Sequence, residues 1–285
     1  LLNSSQTKST EANDDPICTQ RHFKGRLRVN NVPALFNPAS TDSLPALVLL
    51  HGFTGSPHSW NAIVPDLEKH YHVIRPYLPG HQPQDADCPT FEVASAQVAD
   101  LLANFPAPRT LLGYSLGGRL ALYTALQHPH CVDQLILESA TPGIEDEGER
   151  AARKQADDQL AQDIRAKGMR WFVDYWANLP LFASQQRLPA SVRAAQQRER
   201  LAHHPEGLAR SLERMGTGVM PPMWARLDAL RCPVHLITGA LDARYSAIAT
   251  RMASLLPQVR RSEITEAGHT PHLEAPSQFL TALLR

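Results

Sequence analysis

The sequence predicts an α/β fold: a mostly parallel central sheet flanked by helices, with a helical cap inserted before the last strands. Three observations carry that expectation. Over residues 45–138, short apolar runs alternate with amphipathic helical stretches. Residues 144–215 then hold no strand-like run, only charged amphipathic segments. Beyond them the strand–helix alternation resumes and runs to residue 284.

A chain of 285 residues can bury one full α/β core and an inserted cap. Lys plus Arg and Asp plus Glu both number 28, so the formal net charge is zero. No global field then attracts nucleic acid or a charged membrane, and any anion must be held by locally placed cations. Cys18, Cys88, Cys131 and Cys232 lie far apart with no C-x-x-C pair. That excludes a cysteine metal cluster or a dense disulfide framework, and fits reduced thiols in the cytoplasm. No apolar run approaches the roughly 20 residues that span a bilayer, and the basic-then-apolar pattern of a secretory signal is absent. Leu1 rather than Met stands first, which fits a processed form or a piece of a longer polypeptide.

Taken in order, residues 1–20 are rich in Ser, Thr, Asn and Asp and read as a disordered tail or linker. Residues 22–29 and 33–36 read as two strands joined by an Asn30-Asn31 turn. The apolar run 45–50 suits a strand buried on both faces, and it ends at His51-Gly52-Phe53. Ser56 and Pro57 suit an N-cap and first helical position, with a helix reaching about His70. A strand follows at 72–77. Thr90 then caps a helix whose Val93, Ala94, Val98, Leu101 and Leu102 recur at helical spacing. A strand at 109–113, a helix at 116–128 and a strand at 134–138 come next. The cap, 144–215, breaks near Gly168, Pro180, Pro189 and Pro205, and residues 21–143 with 216–285 form the core. Strands at 233–238 and 259–264 and helices at 246–256 and 277–284 complete it.

Chemistry concentrates at strand ends. Gly113-Tyr114-Ser115-Leu116-Gly117 is a G-x-S-x-G pattern between an apolar strand and a helix, the setting of the nucleophile elbow in the α/β-hydrolase fold. The turn pushes the Ser115 hydroxyl over the sheet edge, while the Leu116 amide opens the helix, where the dipole favours negative charge. In that fold an acid and then a histidine follow the serine along the chain. Asp242 follows the strand 233–238, and His269 follows the strand 259–264 within Ala267-Gly268-His269. Asp242 would hold the imidazole of His269 in the tautomer able to take the Ser115 proton. His51-Gly52-Phe53 occupies the place of the oxyanion loop, so the amides of Phe53 and Leu116 would converge on a developing oxyanion. His51 is expected near the substrate, as a brace for that loop.

Several longer motifs narrow the reading. They are Gly113 through Arg119, Glu138-Ser139-Ala140-Thr141-Pro142-Gly143 and Glu149-Arg150-Ala151-Ala152-Arg153. Phe172-Val173-Asp174-Tyr175-Trp176 leads to Pro180-Leu181-Phe182, and Met215-Gly216-Thr217-Gly218 and Gly268-His269-Thr270-Pro271-His272-Leu273-Glu274 follow. On these, the chain from Ala46 onward, apart from part of the cap, resembles the 2-succinyl-6-hydroxy-2,4-cyclohexadiene-1-carboxylate synthase family of menaquinone and phylloquinone biosynthesis. The resemblance implies a lyase that eliminates pyruvate from 2-succinyl-5-enolpyruvyl-6-hydroxy-3-cyclohexene-1-carboxylate, with no cofactor and no metal. It implies that Arg119, Arg153 and Arg200 meet the carboxylates of this small polycarboxylate, with Tyr114, Trp176 and Phe182 as walls. Two departures stand out. Gln82-Pro83 follows Leu78-Pro79-Gly80-His81 where relatives usually have a glycine and a small polar residue, and Ala240 stands where an acid is often found. A carboxylic-ester or carbon–carbon bond hydrolase with Ser115 as covalent nucleophile is the alternative. A catalytically idle ligand binder on the same scaffold is the other, against which the intact serine, aspartate and histidine speak.

Overall fold

A computed structural model describes residues 26–29, 32–36, 44–84 and 86–285, with the backbone alone for 26–29 and 32. The expected tail, Cys18 and the Asn30-Asn31 turn lie outside the described residues. Eight strands form one sheet: β1 (Arg26–Val29), β2 (Val32–Phe36), β3 (Ala46–Leu50), β4 (His72–Pro76), β5 (Arg109–Tyr114), β6 (Gln134–Glu138), β7 (Val234–Gly239) and β8 (Val259–Ile264). Their spatial order is β1-β2-β4-β3-β5-β6-β7-β8. β1, β2 and β4 pair antiparallel, whereas β4-β3-β5-β6-β7-β8 are parallel throughout.

The helices are α1 (Val64–Leu67), α2 (Phe91–Ala103), α3 (Leu116–Gln127), α4 (Glu147–Ala177), α5 (Ala190–Leu201), α6 (Pro205–Met215), α7 (Ala243–Ala253), α8 (Pro271–Glu274) and α9 (Pro276–Leu283). β3 explains why the parallel strands read as unbroken apolar runs. Val48 and Leu50 join the core beneath α2, α3 and α7, while Leu47 and Leu49 join the one containing Trp60, Leu67 and Phe279. Successive side chains point to opposite faces, and both faces are covered.

The segment between β6 and β7 is helical, with its own small core of Ala161, Ile164, Phe172, Val173, Leu208, Ala209 and Leu212, against which Phe53 and Trp176 pack. Each expected break has a local cause. Gly168 takes φ 78° and bends α4, Pro180 opens a 3₁₀ turn (Pro180–Arg187), Pro189 precedes α5, and Pro205 opens α6.

Three expectations need correction. No single helix runs from residue 57 to 70. Ser56 caps a 3₁₀ turn (Pro57–Trp60), accepting from His58 N at 3.1 Å and donating its own amide to Ser59 Oγ at 3.0 Å. Pro65 then lacks the N–H an α-helix would bond to Asn61 O, so only the short α1 follows. Val93 on α2 faces solvent at 49 % exposure, the buried stripe being Phe91, Ala94, Val98, Leu101 and Leu102. And α7 begins at Ala243, not 246, because Asp242 itself caps it through Oδ1 and Tyr245 N at 3.2 Å.

Candidate active site

Ser115 joins β5 to α3 at φ 50°, ψ −106°, a backbone geometry that L-residues rarely adopt. The surroundings hold it there: its amide donates to Glu138 O at 2.9 Å and its carbonyl accepts from Arg119 N at 2.9 Å. Gly117 makes the elbow possible. A Cβ there would lie 2.2 Å from the Leu50 carbonyl oxygen, so α3 starts hard against the end of β3. That contact brings the Leu116 amide toward the His51-Gly52-Phe53 turn. Among the described residues no protein acceptor is recorded for the amide of Phe53 or of Leu116. Two free donors therefore remain near the serine.

Asp242 and His269 follow β7 and β8 at the same carboxyl edge. His269 Nε2 lies 3.2 Å from Ser115 Oγ, and Nδ1 lies 2.7 Å from Asp242 Oδ2. His269 is buried and packs its ring against Tyr245 at 4.5 Å and Phe182 at 6.0 Å. Asp242 stands at the N-terminus of α7, where its Oδ1 accepts from the Tyr245 amide. The arrangement can relay a proton from the serine hydroxyl to an oriented imidazole and hold negative charge on a nearby oxygen.

The remaining expected residues separate into two groups. Arg119, buried on α3, donates from Nη1 to Met215 O at 2.9 Å, and burial lowers its pKa to about 10. Arg153 is 41 % exposed and paired with the buried Asp157 at 2.9 Å. Its charge is felt at Arg119 and Tyr245. Arg200 lies apart from these two, in the wall of a cavity of about 590 Å³ shared with Phe53, Tyr114, Phe182, His81 and Gln185. It is buried, and its guanidinium has no hydrogen bond or ion pair among the described residues and stands 5.7 Å over the Phe182 ring. Ser115, His269, Arg119 and Arg153 lie outside that wall. Trp176 packs between Phe53 at 5.1 Å and Phe182 at 5.7 Å, its buried indole N–H without a partner among the described residues.

His51 is a correction. Both of its ring nitrogens are used: Nδ1 donates to Gly52 O at 2.9 Å, and Nε2 accepts from Leu78 N at 3.0 Å. Full burial lowers its pKa to about 3, so it is a neutral brace for the loop rather than a substrate contact.

The sequence reading missed several supports. Glu274 accepts from the amides of Gly268 at 2.8 Å and Thr270 at 3.0 Å, gripping the backbone on both sides of His269. Tyr114 Oη bonds Thr270 Oγ1 at 2.8 Å, and Gln185 Nε2 donates to the same oxygen at 2.9 Å. Glu138 and His272 form a buried pair at 2.8 Å beneath the Tyr114 ring. Only Glu138 had a sequence signal: a carboxylate ending a buried apolar strand must find a partner.

These features can be set beside known proteins. A family model described as alpha/beta hydrolase fold matches residues 45–276. A Bacillus subtilis (strain 168) protein, provisionally named 2-succinyl-6-hydroxy-2,4-cyclohexadiene-1-carboxylate synthase, is 40 % identical over 84 % of this chain and 91 % of its own. An Enterobacter sp. (strain 638) protein of that name is 32 % identical over 86 % and 92 %. The solved structure of MenH from S. aureus is similar at TM-score 0.84 and 34 % identity, covering 88 % of this chain and 96 % of that one. With its serine, histidine and aspartate meeting at one sheet edge, the chain belongs to the α/β-hydrolase fold and, within it, to the 2-succinyl-6-hydroxy-2,4-cyclohexadiene-1-carboxylate synthase family.

Proposed function

We propose that the protein is a carbon–oxygen lyase that eliminates pyruvate from 2-succinyl-5-enolpyruvyl-6-hydroxy-3-cyclohexene-1-carboxylate. The supporting observation is the contact of Ser115 Oγ with His269 Nε2 at 3.2 Å, beside two free amides and within a fold that buries arginines nearby. His269, oriented by Asp242, accepts the Ser115 proton. The serine oxygen then removes the ring proton next to the succinyl ketone. Charge passes to the ketone oxygen, which the Phe53 and Leu116 amides stabilise; such a donor is worth about 3 kcal/mol in comparable sites. The enolate collapses through the ring double bond and breaks the carbon–oxygen bond to the enolpyruvyl group. Protonation of the departing enolate gives pyruvate, and the ring becomes the cyclohexadiene. The serine forms no bond to carbon.

The substrate carries three carboxylates, which suits planar guanidinium forks. Arg119, Arg153 and Arg200 are the cations we assign to it. Trp176, Phe182 and Tyr114 shape the wall, and residues 144–215 act as the cap. No helix among the described residues is long and apolar enough to cross a membrane. Among the described residues Cys131 and Cys232 are free thiols, which supports a reducing, cytoplasmic setting. The test is a coupled pyruvate assay with the purified protein and the enolpyruvyl substrate. Rapid steady release is expected. No release, together with an acyl-enzyme burst on activated esters, would replace this reading with the hydrolase one.

A further inference from the structure

One feature of the loop beside Ser115 is costly and has an identifiable support. Phe53 and Thr54 are the central residues of a turn closed by Gly55 N donating to Gly52 O at 3.0 Å. Thr54 there takes φ 67°, a position normally left to Gly or Asn. A β-branched residue at positive φ costs free energy and persists only where its surroundings over-determine it. Relaxation to negative φ would swing the Thr54 carbonyl away and open the Gly52–Gly55 turn that carries the Phe53 amide.

The support comes from the end of α5 and the turn after it. His203, 5 % exposed, sets Nε2 at 2.9 Å from Thr54 O and Nδ1 at 2.9 Å from His81 O. Both oxygens can only accept, so each contact needs a proton on the facing ring nitrogen. A neutral ring donates to one at a time. Four residues earlier, Glu199 Oε1 accepts from Ser56 Oγ and, at 2.8 Å, from Ser59 Oγ. Between these two anchors lies Arg200, in the cavity wall. The same turn of chain thus carries a cavity arginine and two ties to the loop that begins at Phe53.

We infer that His203 is a positioning residue for the oxyanion loop: its Nε2–H holds the Thr54 carbonyl, and so the turn that aims the Phe53 amide. The inference rests on the assignment of that amide as an oxyanion donor. It links substrate recognition to catalysis, because the helix that presents Arg200 to the cavity also fixes the loop.

The amide nitrogen of glutamine takes the place of an imidazole Nε2, and that of asparagine the place of Nδ1. His203→Gln therefore keeps a donor to Thr54 O, while His203→Asn keeps only one to His81 O and His203→Ala keeps neither. Two readouts are needed. One is kcat for pyruvate release. The other is the rate at which a fluorophosphonate captures Ser115: the serine oxygen bonds phosphorus, fluoride leaves, the serine proton passes to His269, and the P=O oxygen sits where the oxyanion would. Losing one whole oxyanion donor costs about 100-fold or more, so a loosened one should cost about tenfold. The expected result is a fall of about that size in both rates for His203→Ala and His203→Asn, with KM little changed and His203→Gln close to wild type. Wild-type rates in His203→Ala, or equal rates in His203→Gln and His203→Asn, would overturn the inference. If His203→Ala does not fold, the comparison of glutamine with asparagine decides. Capture rates that follow this order in a protein releasing no pyruvate would support His203 and sink only the lyase reading.

Discussion

Arg200→Met removes a cation that the fold buries at 8 % exposure with no recorded ion pair or hydrogen bond among the described residues. Burial already pulls its pKa below the usual arginine value, with the Glu199 carboxylate offsetting part of that cost through its charge. An unpaired buried charge opposes folding, and methionine fills similar space without it. Binding should move the other way. A hydrogen bond between guanidinium and carboxylate contributes about 1.5–3 kcal/mol. At about 1.4 kcal/mol per factor of ten, its loss should lower kcat/KM by roughly 10- to 150-fold. Initial-rate pyruvate assays and thermal melts on the same preparations check both directions. The melting temperature should hold or rise while kcat/KM falls. An unchanged kcat/KM would refute Arg200 as a substrate contact, and a melting temperature lower by several degrees would refute its lack of a structural partner.

Gly117→Ala places a methyl 2.2 Å from the Leu50 carbonyl, so the elbow must shift; urea unfolding should show a loss of several kcal/mol, or the protein should not accumulate. Glu138→Ala strips the buried His272 ring of its acceptor at 2.8 Å and should cost about 1.5–3 kcal/mol, read by the same unfolding experiment. Burial holds His51 at a pKa of about 3, so between that value and the ordinary 6.5 the unfolded chain takes up a proton that the folded chain refuses. Stability should therefore fall as pH drops below 6.5, by about 1.4 kcal/mol per pH unit for this group alone. His81 and His203, also lowered by burial, steepen the slope. Denaturant midpoints at pH 7.5 and 5.0 measure it, and a flat profile would contradict the buried neutral imidazoles.

Local chemistry made some elements legible and others not. β6 falls on the expected residues because its apolar run between turn residues leaves few alternatives, and β8 does so although only its ends, Val259 and Ile264, are apolar. The helix expected over 57–70 failed at Pro65, where one missing N–H outweighs the apolar spacing. Val93 matched the helical period yet faces solvent, since periodicity identifies a face without saying how wide the buried stripe is. Ser115, Asp242 and His269 could be found because each follows a recognisable strand in a fixed order along the chain. The grip of Glu274 on the backbone around His269, and the tie from His203 to Thr54, had no such signal. Both depend on main-chain acceptors and donors, which every residue carries alike. His51 shows the converse limit: its place beside the oxyanion loop was legible, but the two bonds that occupy its ring were not.

The claim that Ser115 acts as a base relayed through His269 is tested most directly by the rate of pyruvate release in Ser115→Ala. That variant leaves the His269–Asp242 contact at 2.7 Å in place and removes only the oxygen that meets the ring proton. Loss of about 1,000-fold or more in kcat is predicted, as removal of any one triad member brings elsewhere, with substrate binding retained. Pyruvate release within a few-fold of wild type would mean that another group takes the proton, and the assignment of this site would be wrong.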